Sequence, residues 1–143
     1  MILPDVNLLV YAHNKASQCH RQAAPWWEDC LNGEGGILLP HICINGFVRI
    51  MTHPKILEEP LDIGEAFEMT DVWLESDCLS LLAPGMRHYS LYKNALLEAG
   101  TGGKLTTDAY LAALALENQA TIYSNDSDFS RFSGLKWENP LGA

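Results

Sequence analysis

Four aspartates stand where this chain changes direction. Asp5 follows the short apolar run Met1-Ile2-Leu3-Pro4, and Asp108 opens an apolar helical stretch. Asp126 and Asp128 come just after Thr121-Ile122-Tyr123, in the run Ser124-Asn125-Asp126-Ser127-Asp128. Carboxylates are hard oxygen donors, and several drawn to one point from distant sequence hold a divalent cation. Each also has a plainer role. Asp5 suits the N-cap of a helix starting at Val6. Asp108 suits the positive end of a helix dipole, with Thr106 or Thr107 as the cap. Asp126 and Asp128 suit an Asx-rich turn. One carboxylate oxygen can cap while the other binds, so the two readings of Asp5 coexist. Asn7 is either a support for Asp5 or a first-turn residue, and Ser124 is the corresponding support beside the later acids.

The elements that must position these acids can be read from apolar spacing. Ile2-Leu3 gives a very short strand ending at Asp5, and Val6 to Ala12 an apolar helix that Asn14 closes. A second helix runs from about Ser17 to Leu31, with Trp26, Trp27 and Cys30 as its buried stripe and Pro25 as a kink or restart. Ile37-Leu38-Leu39 is a buried strand ending at Pro40. From His41 to His53 the residues Ile42, Ile44, Phe47, Val48 and Met51 recur at helical offsets, and Pro54 stops that helix. Asp62 with Glu65 forms a capping box for a helix to Glu75, striped by Ala66, Met69, Trp73 and Val72. Leu79 to Leu82 is a third strand. Met86 to Ala99 is a helix striped by Tyr89, Tyr92, Leu96 and Leu97. The helix from about Thr107 is apolar nearly all round, so it is expected to be buried. Thr121 to Tyr123 is strand four and Leu135 to Trp137 a fifth. Short apolar strands alternating with helices, and no hairpin signature, argue for a parallel sheet covered on both faces. Such folds bind ligands beyond the carboxyl ends of their strands, where the strand order reverses.

Composition narrows the classes. The 143 residues, 48% of them hydrophobic, suit one domain with a real core. No apolar run approaches the roughly 18 to 20 residues that span a bilayer, and no basic segment precedes an apolar one at the N-terminus, so a soluble cytoplasmic protein is expected. Cys19, Cys30, Cys43 and Cys78 form no C-x-x-C pair and no zinc-finger spacing with the five scattered histidines, as expected of free thiols. A net charge of −9 excludes binding of nucleic acid through a broad basic surface. It leaves a cation-filled carboxylate site that attracts phosphate, and a basic protein partner.

The segments Leu3-Pro4-Asp5-Val6-Asn7-Leu8-Leu9-Val10-Tyr11-Ala12, Gly46-Phe47-Val48-Arg49 with Thr52-His53-Pro54, Thr107 to Ala115, and Asp126 to Phe132 through Trp137-Glu138-Asn139-Pro140-Leu141 closely resemble PIN-domain proteins, specifically VapC-type toxins of bacterial toxin–antitoxin pairs. The resemblance spans essentially the whole chain in order and spacing. It implies one PIN-like domain over residues 1–143, a three-layer α/β/α sandwich with a central parallel sheet. It also implies an Mg²⁺- or Mn²⁺-dependent ribonuclease that cleaves RNA, is restrained by a cognate antitoxin and forms a homodimer. Carried over by motif, Asp5, Asp108 and Asp126 are the catalytic acids, and these with Asp128 are the metal ligands. Arg49 and Arg131 are the candidate RNA contacts among the cations Arg49, Lys55, Arg87, Lys93, Lys104 and Arg131. In one respect the chain departs from the pattern. PIN nucleases usually carry another acid after strand two, where this chain has Asn45-Gly46, with no carboxylate between Glu34 and Glu58. The loss favours one well-held ion over two.

Three other functions compete with a ribonuclease. An aspartate-dependent phosphatase would use Asp5 as nucleophile, with Asn7 at the position of a partner acid. A receiver-like domain needs a phosphoacceptor acid after a middle strand, and none follows Leu79 to Leu82. A catalytically silent PIN scaffold would act as a binding partner alone.

Overall fold

A computed structural model describes residues 1–142, and five parallel strands form its centre. In chain order the elements are β1 (Ile2–Pro4), α1 (Val6–His13), α2 (His20–Asn32), β2 (Ile37–Pro40), α3 (His41–Met51), α4 (Ile63–Leu74), β3 (Leu79–Leu82), α5 (His88–Ala99), α6 (Thr106–Asn118), β4 (Thr121–Tyr123) and β5 (Lys136–Glu138). Single 3-10 turns, Gly103–Leu105 and Ser127–Arg131, precede α6 and β5. The sheet order is β3-β2-β1-β4-β5. The chain therefore steps outward from β1 to β3 and returns to the other side of β1, which puts the reversal of strand order between β1 and β4. Leu3 lies beside Ile122 and Pro4 beside Tyr123, so both strands end level at that crevice.

Helices cover both faces, completing the three-layer α/β/α sandwich. Leu3, Ile37, Leu39 and Ile122 have no exposed surface, as strands buried on both sides require. One core knot joins α1, α3 and α4. Phe47 meets Trp73 edge-on at 4.6 Å, and His13 lies 5.2 Å from Trp73. The Trp73 indole N–H donates to His13 Nε2 at 3.2 Å, and His13 Nδ1 lies 2.8 Å from the Leu9 carbonyl. Those bonds use both ring nitrogens in the neutral tautomer, Nδ1–H donating and Nε2 accepting. Burial correspondingly lowers the His13 pKa, partly offset by the Leu9 bond.

The capping box at Asp62 and Glu65 forms as expected. So does the burial of α6, where Ala109 and Leu111 through Ala115 are buried. Other boundaries and stripes differ. α2 starts at His20 and passes through Pro25 as one helix, with Ala23 and Trp27 as its buried residues while Trp26 and Cys30 are half-buried. α5 starts at His88, because the Glu117 carboxylate of α6 accepts the backbone N–H groups of Gly85 (2.8 Å) and Arg87 (3.0 Å) and holds the preceding turn apart. Met86 is left 98% exposed. Tyr89 and Leu97 also face outward, because the buried contact of α5 is made by His88 against Tyr110 of α6, and Val72 on α4 is exposed as well. β5 lies one residue later than its apolar run.

Candidate metal centre

The level ends of β1 and β4 determine where the first acid sits. Asp5 N–H donates to the Tyr123 carbonyl at 2.9 Å, extending the ladder by one step and bringing Asp5 beside Ser124. Asp5 is 9% exposed. Its Oδ1 accepts the Val6 N–H at 2.7 Å and so caps α1, while its Oδ2 accepts the Ser124 hydroxyl at 2.7 Å. Burial raises its pKa, those two bonds lower it, and the charge of Asp126 raises it again. A carboxylate oxygen has more than one acceptor site, so these bonds leave lone pairs on Asp5 unused.

The other three acids converge from two elements. One carboxylate oxygen from each of Asp108, Asp126 and Asp128 lies within 4.8 Å of the others, and all three residues are half-buried. Asp108 stands in the first turn of α6. Neither threonine caps that helix as expected: the 3-10 turn runs directly into it with Leu105 at the N-cap, and the Thr106 hydroxyl donates back to the Gly103 carbonyl at 2.8 Å. Asp126 and Asp128 do form the expected Asx turn, with Asp126 Oδ1 accepting the Asp128 N–H at 2.9 Å. Asp5 lies outside this group of three, yet its charge acts on Asp108.

Burial first, then the charges of Asp5, Asp126 and Asp128, and a hydrogen bond with Asp126, push the Asp108 carboxyl up to about 7. Every one of those groups is an acid. Confined carboxylates that raise one another's pKa are held against their own repulsion, and a multivalent cation relieves it. The donors are oxygens without exception, which fits a hard divalent ion such as Mg²⁺ or Mn²⁺ rather than one that prefers thiolate or imidazole.

The remaining expected residues divide. Asn7 joins the site: its Nδ2 donates to Ser124 Oγ at 3.3 Å, and its Oδ1 is buried with no partner among the described residues. Ser124 is wholly buried at the junction of these contacts. Arg49 ends α3 on the surface, and Arg131 is exposed at the end of the 3-10 turn that Asp126 opens. Lys55, Arg87, Lys93 and Lys104 are exposed as well. At the position lacking an acid, a Cβ on Gly46 would come within 3.0 Å of Val6 Cγ2, so α3 approaches α1 closely there and presents no carboxylate. The sequence reading missed the bracing from β5. Trp137 Nε1 donates to the Ser124 carbonyl at 3.0 Å, and Ser124 N–H donates to the Glu138 carbonyl at 3.0 Å. The available signal was a tryptophan near the C-terminus whose indole N–H needs a partner when buried.

A family model described as PIN domain matches residues 2–135. Ribonuclease VapC33 of Mycobacterium tuberculosis is 42% identical over 141 residues, 99% of each chain. Ribonuclease VapC37 of the same species is 36% identical over 140 residues, 98% of this chain and 97% of the relative. Among solved structures, VapBC2 from Rickettsia felis bound to a promoter DNA fragment aligns with a TM-score of 0.71 at 20% identity, covering 97% of this chain and 98% of the other. The Mycobacterium tuberculosis toxin VapC20, which cleaves the sarcin-ricin loop, aligns with a TM-score of 0.69 at 14% identity over 95% and 99% of the two chains.

Proposed function

The chain belongs to the PIN-domain family, and from that premise we propose that it is a VapC-type endoribonuclease toxin that hydrolyses RNA phosphodiester bonds with a divalent metal ion. The observation that carries the reading is the convergence of Asp108, Asp126 and Asp128 within 4.8 Å at the crevice where the strand order reverses. Asp5 and these three acids are the metal set, with Asp5, Asp108 and Asp126 nearest the chemistry. When bound, Mg²⁺ or Mn²⁺ supplies Lewis acidity and neutralises the charge that builds on the scissile phosphate.

The chain's own residues do the rest. Asp5, Asp108 and Asp126 set where the phosphate sits, and Asp128 adds a further oxygen donor beside them. Ser124 holds Asp5 in place, and Asn7 in turn donates to the Ser124 hydroxyl. Arg49 and Arg131, both exposed, meet RNA phosphates, consistent with a body too acidic to hold RNA by surface charge alone. The partner is a VapB-type antitoxin, the working unit is a homodimer, and residues 1–143 form one cytoplasmic domain. Among the described residues no helix is long and apolar enough to cross a membrane.

A silent scaffold is the second reading, favoured by the absence of any acid on α3 and the packing of Gly46 against Val6. A phosphatase is disfavoured, because an Asp5 nucleophile would have to attack from a site 9% exposed with both oxygens already hydrogen-bonded. The deciding test incubates purified protein with structured RNA in Mg²⁺, Mn²⁺ or EDTA. Cleavage is expected with either metal, is absent in EDTA, and is lost in Asp5→Asn and Asp108→Asn while both remain folded. Cleavage undiminished in both variants would sink the proposed site.

A further inference from the structure

One polar contact ties α4 to another helix. Among the described residues, the hydrogen bond from the Trp73 indole N–H to His13 Nε2, at 3.2 Å, joins α4 to α1. The other side-chain bonds of α4, the Asp62–Glu65 capping box and the Thr70 hydroxyl donating to the Phe67 carbonyl, stay within it. His13 also stands between two hollows that run along this helix. One, of about 570 Å³, is lined by Lys15, Glu58 and Glu59; the other, of about 350 Å³, is lined by Trp27 and Glu28. His13 and Met69 border both. The ring accepts the indole proton only as the neutral Nδ1–H tautomer, with Nδ1 held 2.8 Å from the Leu9 carbonyl.

We propose that this bond is a pH-sensitive latch: protonation of His13 breaks it and releases α4 from α1, joining the two hollows into one groove. An imidazolium carries a proton on both nitrogens. Its Nε2–H then opposes the Trp73 N–H, donor against donor, while Nδ1–H keeps the Leu9 carbonyl. Trp73 is 1% exposed, so its indole N–H reaches no water unless α4 moves. A buried donor left unpaired carries its full desolvation penalty. The imidazolium has carboxylates to turn to, Glu58 and Glu59 on the larger hollow and Glu28 on the smaller. Two basic groups oppose it, Lys15 on the larger hollow and His20 of α2. α3 presents Phe47 and Met51, neither of which titrates, and the acids of α4, Glu65, Glu68 and Asp71, are exposed to solvent. Burial and then the charge of His20 hold the folded ring below its ordinary 6.5, against the Leu9 bond. The unfolded ring takes its proton first as pH falls, so the latch is whole above about 6.5 and is lost as pH drops from there through the folded value.

Hydrogen exchange of the full-length chain, read by mass spectrometry from pH 8 to pH 5 and corrected for the intrinsic exchange rate, tests the latch. In the parent, protection of the α4 amides is expected to fall below about pH 6.5, by up to about tenfold per pH unit. His13→Gln, whose carbonyl accepts the indole proton and which takes up none itself, is expected to hold that protection flat. Asp108 titrates in the same range but is present in both proteins, so the difference between them belongs to His13. Trp73→Phe removes the opposed donor. In it the decline is expected to shrink, with the His13 ring titrating closer to 6.5 by NMR, and it serves if His13→Gln fails to fold. Protection of α4 that stays constant with pH in the parent overturns the latch. So does a decline as steep in His13→Gln as in the parent, or in Trp73→Phe where the glutamine variant does not fold.

Discussion

Replacing Asp108 by asparagine should make the metal-free protein more stable while removing its capacity to hold an ion. The carboxyl is lifted from its ordinary 3.8 to about 7 by burial and by three neighbouring acids. Taken at face value, that displacement corresponds to roughly 4 kcal/mol of unfavourable ionisation at full charge. Asp108 is half-exposed, so solvent screening reduces the figure to about 1–2 kcal/mol. The sign follows from the unfolded chain, where the group titrates near 3.8. Below that pH both states are protonated and nothing is lost. Stability then declines as pH rises toward 7, and the full penalty applies above it. Asparagine keeps a donor for Asp126 and carries no charge. In EDTA at pH 8 the variant should therefore melt roughly 3–8 °C above the parent, with the gap shrinking toward pH 4. Excess Mn²⁺ should reverse the order, because binding to the folded state stabilises the parent alone. Differential scanning calorimetry across this pH range, with and without Mn²⁺, measures both effects. A variant less stable than the parent at pH 8 in EDTA would refute the argument that the acids are held against repulsion.

Three further outcomes follow from the same contacts. Mn²⁺ affinity should fall as pH drops below about 7, since a proton on Asp108 competes with the ion; a titration series from pH 5.5 to 8 reads this, and a flat profile contradicts it. Gly85→Ala brings a Cβ within 2.6 Å of the Glu117 carboxylate and should cost about 1–2 kcal/mol by breaking charge-assisted bonds to the turn before α5, measured by urea denaturation, with RNA cleavage retained at temperatures where the variant is folded. Arg131→Ala should raise KM for RNA several-fold while Mn²⁺ affinity stays unchanged, separating phosphate contact from metal holding; a matching loss of Mn²⁺ affinity would instead tie Arg131 to the acids.

Much of the fold was legible because its signals are local. Strands β3 and β4, the Asp62 capping box and the all-round apolar face of α6 each depend on a few adjacent residues, and those elements formed as expected. The acids were legible for the same reason, since each follows a strand or opens a helix. Some of the errors came where a distant residue decides. Glu117, thirty residues away from Arg87, holds the turn before α5, delays that helix to His88 and exposes Met86. Thr106 and Thr107 lose the capping role because a 3-10 turn feeds straight into α6. The division of the four acids into a convergent three and a buried fourth depends on the registry of β1 with β4 and on the Ser124 hydroxyl, neither of which leaves a pattern in sequence.

The central claim is that Asp108, Asp126 and Asp128, with Asp5 beside them, hold one divalent ion. Crystals grown or soaked with Mn²⁺ and measured near the manganese absorption edge test it directly through anomalous scattering. The account predicts a peak among these three carboxylates in the parent protein and none there in Asp126→Asn. A Mn²⁺ peak elsewhere with this cluster empty, or an undiminished peak in the variant, would contradict it.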